Sequence, residues 1–245
     1  MFDYAPPNHL LHDRIILVTG AGNGLGRAAA VAFAAHGASV ILLGRTQHNL
    51  EQTYDLIEQA GHPQPAILKL DLENATEEDY WGLGETLYHE FWRLDGVLHN
   101  AAQLAPLSRI DDYDLPTWNK LLQINLTAPF LLTRACLPLL RRSNDASILF
   151  TSDRVGRQGK AYWGAYGVSK FGLEGLMQIL ADELENSSIR VNSIAPGAVR
   201  SRIRALAYPG EDPRSLPSAE SIMPAYLYLM GPDSRGTSGQ AFDAQ

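Results

Sequence analysis

Tyr166 and Lys170, in the stretch TSDRVGRQGKAYWGAYGVSK, are a pair that could move a proton. A phenol can donate or accept one, but its free pKa of about 10 is high for neutral pH. A nearby ammonium favours the phenolate and lowers that value. Four residues apart on a helix, the two side chains share a face, so Lys170 can sit beneath the phenol. Such a pair suits interconversion of a carbonyl and a secondary alcohol, in which a cofactor carries the hydride and the protein handles the proton.

Asp153 stands thirteen residues before Tyr166, and Ser152 precedes it. Strand neighbours point to opposite faces. Ser152 could therefore replace Asp153 beside the phenol only if the strand end bulges or twists. An ionised Asp153 accepts hydrogen bonds only. It would repel a developing alkoxide and raise the Tyr166 pKa. A protonated Asp153 could donate. Turned outward toward Arg154, Arg157 or Lys160, it would form a solvated pair of little energetic weight.

The elements that must position these groups alternate along the chain. RIILVTG, ASVILLG, PAILKLD, LDGVLHN, ASILFTS and IRVNSIAPG are short apolar strands, and GQAFDA is a last one. Between them lie helical segments, among them LGRAAAVAFAAHG, TQHNLEQTYDLIEQAG with Thr46 as its cap, residues 76–93, a long helix after Pro116, and AYGVSKFGLEGLMQILADELEN. Gly82 and Gly84 weaken the helix over 76–93. Strands apolar on both faces with helices between them predict a Rossmann-type doubly wound parallel sheet of about seven strands, an α/β fold in one domain. Residues 1–12 read as an N-terminal extension, and residues 198–217 have no clear period.

Composition narrows the function further. The 245 residues carry a formal net charge of −7, which argues against general binding to nucleic acid or an anionic membrane. One cysteine, Cys136, cannot form an internal disulfide, which suits a reducing compartment. The start MFDYAPPNHL lacks the basic and apolar regions of a signal peptide, and no apolar run is long enough to span a membrane. The expectation is a cytoplasmic protein. No H-E-x-x-H or C-x-x-C pattern supports a metal site.

After the first strand comes TGAGNGLG, residues 19–26. Gly20 permits a tight turn, Gly24 lets a pyrophosphate approach the backbone, and Gly26 allows close packing of helix on sheet. The following helix offers free N–H groups and a positive dipole end to phosphate. At the next strand end Gly44 stands where NAD-using proteins keep a carboxylate, and Arg45 follows. A guanidinium there can pair with a 2′-phosphate, so NADPH is favoured over NADH.

These motifs, in this order from about residue 13 onward, resemble the short-chain dehydrogenases/reductases, whose turn is T-G-x-x-x-G-x-G. VGRQG and WGAYGVSKF look most like the YciK-like bacterial branch. The resemblance implies cofactor-binding roles for Gly20, Asn23, Gly24, Leu25, Gly26, Arg45, Tyr166 and Lys170. It implies them also for Asp71 and Leu72 at the adenine, for Asn100 in HNAA, and for Pro196, Gly197, Val199 and Ser201 in PGAVRS. HNAA departs from the family's N-N-A-G at His99 and Ala102. Asn125, by resemblance, supports a water relay to Lys170. The position of Asp153 is one where the family has a substrate-binding hydroxyl. Tyr166, Lys170, Asn125 and either Ser152 or Asp153 are thus the expected catalytic set. Residues 198–217 fall where this fold keeps a substrate lid, and Arg200, Arg202 and Arg204 there raise an acidic substrate or a merely solvated basic loop. Tyr162 and Trp163 could line the pocket, or belong equally to the core or a subunit contact. A homodimer or homotetramer and a small carbonyl or alcohol substrate are further implications. The departure at Asp153 opens an alternative, an NADP(H)-binding protein with impaired or no catalysis that acts as a redox sensor or structural partner.

Overall fold

A computed structural model describes residues 2–245. Its strands are β1 (Ile15–Thr19), β2 (Ser39–Gly44), β3 (Ala66–Lys69), β4 (Gly96–His99), β5 (Ala146–Thr151), β6 (Ile189–Ala195) and β7 (Ala241–Asp243). Its helices are α1 (Gly24–Ala35), α2 (Gln47–Gln59), α3 (Glu77–Phe91), α4 (Leu115–Leu122), α5 (Ala128–Leu140), α6 (Gly164–Glu183), α7 (Arg202–Ala207) and α8 (Met223–Met230). The strands form one sheet in the order β3-β2-β1-β4-β5-β6-β7. Every pairing is parallel, so the predicted doubly wound sheet of seven strands is the observed one.

Alternation along each strand feeds two cores. Ile16, Val18, Val40 and Leu42 pack on the face covered by α1 and α8. Leu17, Ile41 and Leu43 pack on the opposite face with residues of α3, α5 and α6. Between β1 and β4 the strand order reverses, and ligands of such sheets bind in the crevice beyond the strand ends at that point. Thr19 ties the crevice floor together: its Oγ1 accepts from the N–H groups of Asn100 and Ala101 at 2.9 and 3.0 Å.

Several local features differ from the sequence expectation. Thr46 precedes α2 but makes no side-chain cap. The segment after Pro116 is two helices joined by a π turn, Gln123–Thr127, in which Ala128 N–H reaches the Gln123 carbonyl. Gly82 and Gly84 do not break α3. A capping box between Thr76 and Asp79 starts it. A Cβ on Gly84 would sit 3.1 Å from the Ala135 carbonyl oxygen, so this glycine is where α3 and α5 approach closely. Residues 198–217 contain α7, too short for a period to show in sequence. The N-terminal extension packs on the body: Leu11 is fully buried, and the Phe2 ring lies 5.4 Å from Tyr228. No helix among the described residues is long and apolar enough to cross a membrane.

Candidate active site

At the carboxyl ends of the strands lies a cleft of about 1090 Å³. Of the expected catalytic and cofactor-binding residues, all line it except Gly26 and Asn125. Gly26 is below the turn. A Cβ there would strike the Gly20 carbonyl oxygen and come within 2.6 Å of Asn100 Nδ2, so its absence lets α1 close on the sheet. Gly20 and Gly24 take positive φ, 68° and 52°, which side chains other than glycine rarely adopt. Apart from its chain neighbours and its own helix backbone, nothing lies within 4 Å of where a Gly24 Cβ would be, so the turn is open there. Asn23 precedes α1 with no side-chain cap, leaving the first N–H groups of the helix free to meet an anion. This cradle fits a pyrophosphate.

Farther along, Arg45 lies beside Asp71, Leu72 and Glu73 on the cleft wall. Glu73 was not visible as a partner in the sequence. Its carboxylate accepts Lys120 at 2.8 Å and lies 4.0 Å from the Arg45 guanidinium. The adjacency of β2 and β3, with Gly44 opposite Lys69, is the signal that could have found it. Across the cleft, Ser201 caps α7 through Arg204 N–H at 3.1 Å, and Val199 is buried.

Tyr166 and Lys170 meet on one face of α6, both buried, with Lys170 Nζ 5.6 Å from the phenol ring centre. Lys170 donates to the Thr151 carbonyl at 2.8 Å. The phenol donates to Asp153 Oδ2 at 3.2 Å, while Asp153 Oδ1 accepts from Val155 N–H at 3.1 Å. Asp153 thus occupies the place beside Tyr166. Ser152 makes no bond to it, and its buried hydroxyl has no partner among the described residues. Nor does Asp153 turn outward. Arg157 is taken by Glu174 and Asp243, Arg154 lies 3.7 Å from Asp243, and Lys160 donates to the Tyr208 hydroxyl at 3.1 Å.

The electrostatics run against the simple expectation for Tyr166. Burial, followed by the charge and hydrogen bond of Asp153, pushes its pKa well above the ordinary value. Burial lowers Lys170 to about 8, with Asp153 and Glu174 opposing. Beside Asp153, Lys170 therefore does not bring the phenol toward neutrality.

Asn125 lies in the π turn, 1% exposed, where such turns widen a helix locally. Its amide exchanges hydrogen bonds with the backbone of Gln103, at 2.8 and 2.9 Å, and donates to Ser169 Oγ at 3.2 Å. It therefore ties the loop after β4 to the helix carrying Tyr166. His99, the departure in HNAA, is buried and stacked 4.7 Å from Phe150, and its Nε2 lies 2.8 Å from Thr133 Oγ1. Burial lowers its pKa to about 3. It is a core residue.

Above the phenol, Leu104, Val155, Trp163, Tyr166 and Ala207 form an apolar cluster. Tyr162 is exposed and outside the cleft. Arg204 pairs with Glu211 at 2.6 Å and lies 3.9 Å over the Tyr208 ring, so it braces the segment around α7. No cluster of metal-ligating side chains is present among the described residues.

A nucleotide cradle at the strand-order reversal, joined to a buried Tyr–Lys pair, defines an oxidoreductase of the short-chain type. Residues 14–212 match the short chain dehydrogenase family, and the chain belongs to it. It is 48% identical over 242 residues to the protein named Uncharacterized oxidoreductase YciK of Escherichia coli (strain K12), covering 99% of this chain and 96% of that one. A solved structure from Pseudomonas syringae, 57% identical, superposes with a TM-score of 0.98 and full coverage of both chains. Another, from Escherichia coli CFT073 and complexed with NADPH, is 48% identical with a TM-score of 0.95, covering 98% of this chain and 100% of that one.

Proposed function

We propose that this protein is an NADP(H)-dependent oxidoreductase that interconverts a carbonyl and a secondary alcohol on a small molecule. The observation that carries the reading is the buried Tyr166–Lys170 pair at the floor of the cleft that also holds the glycine turn. When bound, the nicotinamide cofactor supplies or takes the hydride. Gly20, Asn23, Gly24 and Leu25 would hold its pyrophosphate. Asp71, Leu72 and Asn100 would flank the adenosine side, and Pro196, Gly197, Val199 and Ser201 the nicotinamide side. Arg45, with no carboxylate at Gly44, favours the 2′-phosphate of NADPH, and the NADPH complex of the Escherichia coli relative supports NADP(H) as the cofactor.

In this reading Tyr166 is the general acid and base, and Lys170 steadies its phenolate and holds the ribose. Asn125, fixed by Gln103 and Ser169, supports the proton path toward Lys170. Asp153 orients the reacting oxygen through its contact with Tyr166. Residues 198–217 act as the substrate lid, and the apolar cluster around Trp163 excludes water from the reacting atoms. The protein works in the cytoplasm as a homodimer or homotetramer.

Fluorescence of bound NADPH and its oxidation by a carbonyl panel beginning with cyclohexanone test this reading, together with the reverse reaction of the matching alcohols. Tyr166→Phe should keep NADPH binding and lower turnover by about 10²-fold or more. Turnover equal to wild type in that variant would remove Tyr166 from the chemistry. The Asp153–Tyr166 contact favours a second reading, a cofactor-binding protein without catalysis. Binding with no turnover in either direction on any panel pair would select it.

A further inference from the structure

We propose that Tyr166 and Asp153 form a proton relay, in which Asp153 Oδ2 takes the phenol proton as Tyr166 Oη takes the hydroxyl proton of a substrate alcohol. The inference rests on the proposed function and adds which form of the substrate the resting site receives.

The geometry sets the direction of the bonds. The phenol proton is directed to Asp153 Oδ2 at 3.2 Å, and Asp153 Oδ1 is held by Val155 N–H. With its own proton so committed, Tyr166 Oη offers a lone pair to the cleft. A lone pair and an ionised carboxylate receive a hydroxyl, which donates, and repel a carbonyl oxygen, which only accepts. The charged and polar groups of the neighbouring elements support this arrangement. Lys170 and Glu174 come from α6, Asp153 and Lys160 from the loop after β5, and Arg204 and Tyr208 from α7 and its end. Lys170 and Arg204 feel the Asp153 charge, so a cation from α6 and one from α7 counter it.

The proton and electron balance closes. The alcohol O–H bond breaks and a new Oη–H bond forms. The old Oη–H bond breaks and an Oδ2–H bond forms. The alcohol carbon loses its hydride to oxidised NADP, the oxidant, and becomes a carbonyl. Asp153 lines the cleft and is only partly buried, so it returns the proton to solvent. Oxidation by this route needs no tyrosinate in the resting site, whereas reduction needs a protonated Asp153.

Two measurements decide it. Ultraviolet titration of tyrosinate in the unliganded full chain compares wild type, Asp153→Asn and Tyr166→Phe. The Tyr166 increment is the one missing from Tyr166→Phe. It should appear about one pH unit or more lower in Asp153→Asn, and an unchanged position would overturn the relay. Asp153→Ser serves if Asn does not fold. The second measurement is kcat/KM against pH for cyclohexanol and cyclohexanone, or the panel pair turned over best. In wild type, oxidation should be level through neutrality while reduction falls about tenfold per pH unit. In Asp153→Ser the pattern should exchange: reduction level, oxidation rising about tenfold per unit. Identical profiles in the two proteins would overturn the proposal. No turnover by either protein in either direction would instead refute the proposed function, and the titration would still decide the Tyr166–Asp153 coupling.

Discussion

The Arg45 guanidinium lies 4.0 Å from the Glu73 carboxylate, which Lys120 holds more closely, at 2.8 Å. Lys120 thus draws Glu73 away from Arg45 and leaves the guanidinium exposed to the cleft. A charge-assisted pair with a 2′-phosphate is worth about 1.5–3 kcal/mol. Arg45→Ala should therefore weaken NADPH about tenfold or more while changing NADH by less than about threefold. Glu73→Gln should tighten NADPH. Fluorescence titration with both nucleotides measures each effect, and equal losses for NADPH and NADH would place Arg45 away from the 2′ position.

Gly26 tests the packing beneath the cradle. Its added Cβ would strike the Gly20 carbonyl and crowd Asn100 Nδ2 at 2.6 Å. Gly26→Ala should cost about 1–3 kcal/mol in urea unfolding and abolish NADPH binding, because α1 must back away from the sheet. A folded variant with wild-type affinity would show that the close approach is dispensable.

His99 gives the acid limb of the stability curve. Burial lowers its pKa to about 3 from an ordinary 6.5. The unfolded chain therefore binds this proton first. Stability falls as pH drops below the unfolded value and stops falling from this source near the folded one. His99→Asn should flatten that limb, with stability measured by urea unfolding from neutral pH to about pH 4. A limb as steep as wild type would move the effect elsewhere.

Asp145 joins Arg14 at 2.9 Å, Arg235 at 3.2 Å and Arg190 at 3.4 Å. Burial raises its pKa, but the arginines outweigh burial and hold it below the ordinary carboxylate value. Its contribution is present above the unfolded pKa of about 3.9 and lost as pH falls through the lower folded value. Asp145→Asn should cost about 3 kcal/mol at neutral pH, because three cations then lack their anion. The gap to wild type in urea midpoints should narrow at acid pH; a gap independent of pH would assign the loss to packing.

The sequence by itself determined the alternating strands and helices, the glycine turn and the Tyr166–Lys170 pair. Each is written in a local period: apolar strand runs, a strand-to-helix turn, a four-residue helical spacing. Family resemblance added Asn125 and the strand-end residues, most of which the fold gathers into one cleft. Tertiary structure alone decided the rest. Which of Ser152 and Asp153 meets the phenol depends on how the end of β5 leaves the sheet. The facing of Glu73 and Arg45 depends on two strand ends lying side by side. The π turn matters because Gln103, twenty-two residues earlier, comes back to hold Asn125. The upward push on the Tyr166 pKa has the same origin. Burial and a carboxylate thirteen positions away set it, and neither acts until the chain has folded around the phenol.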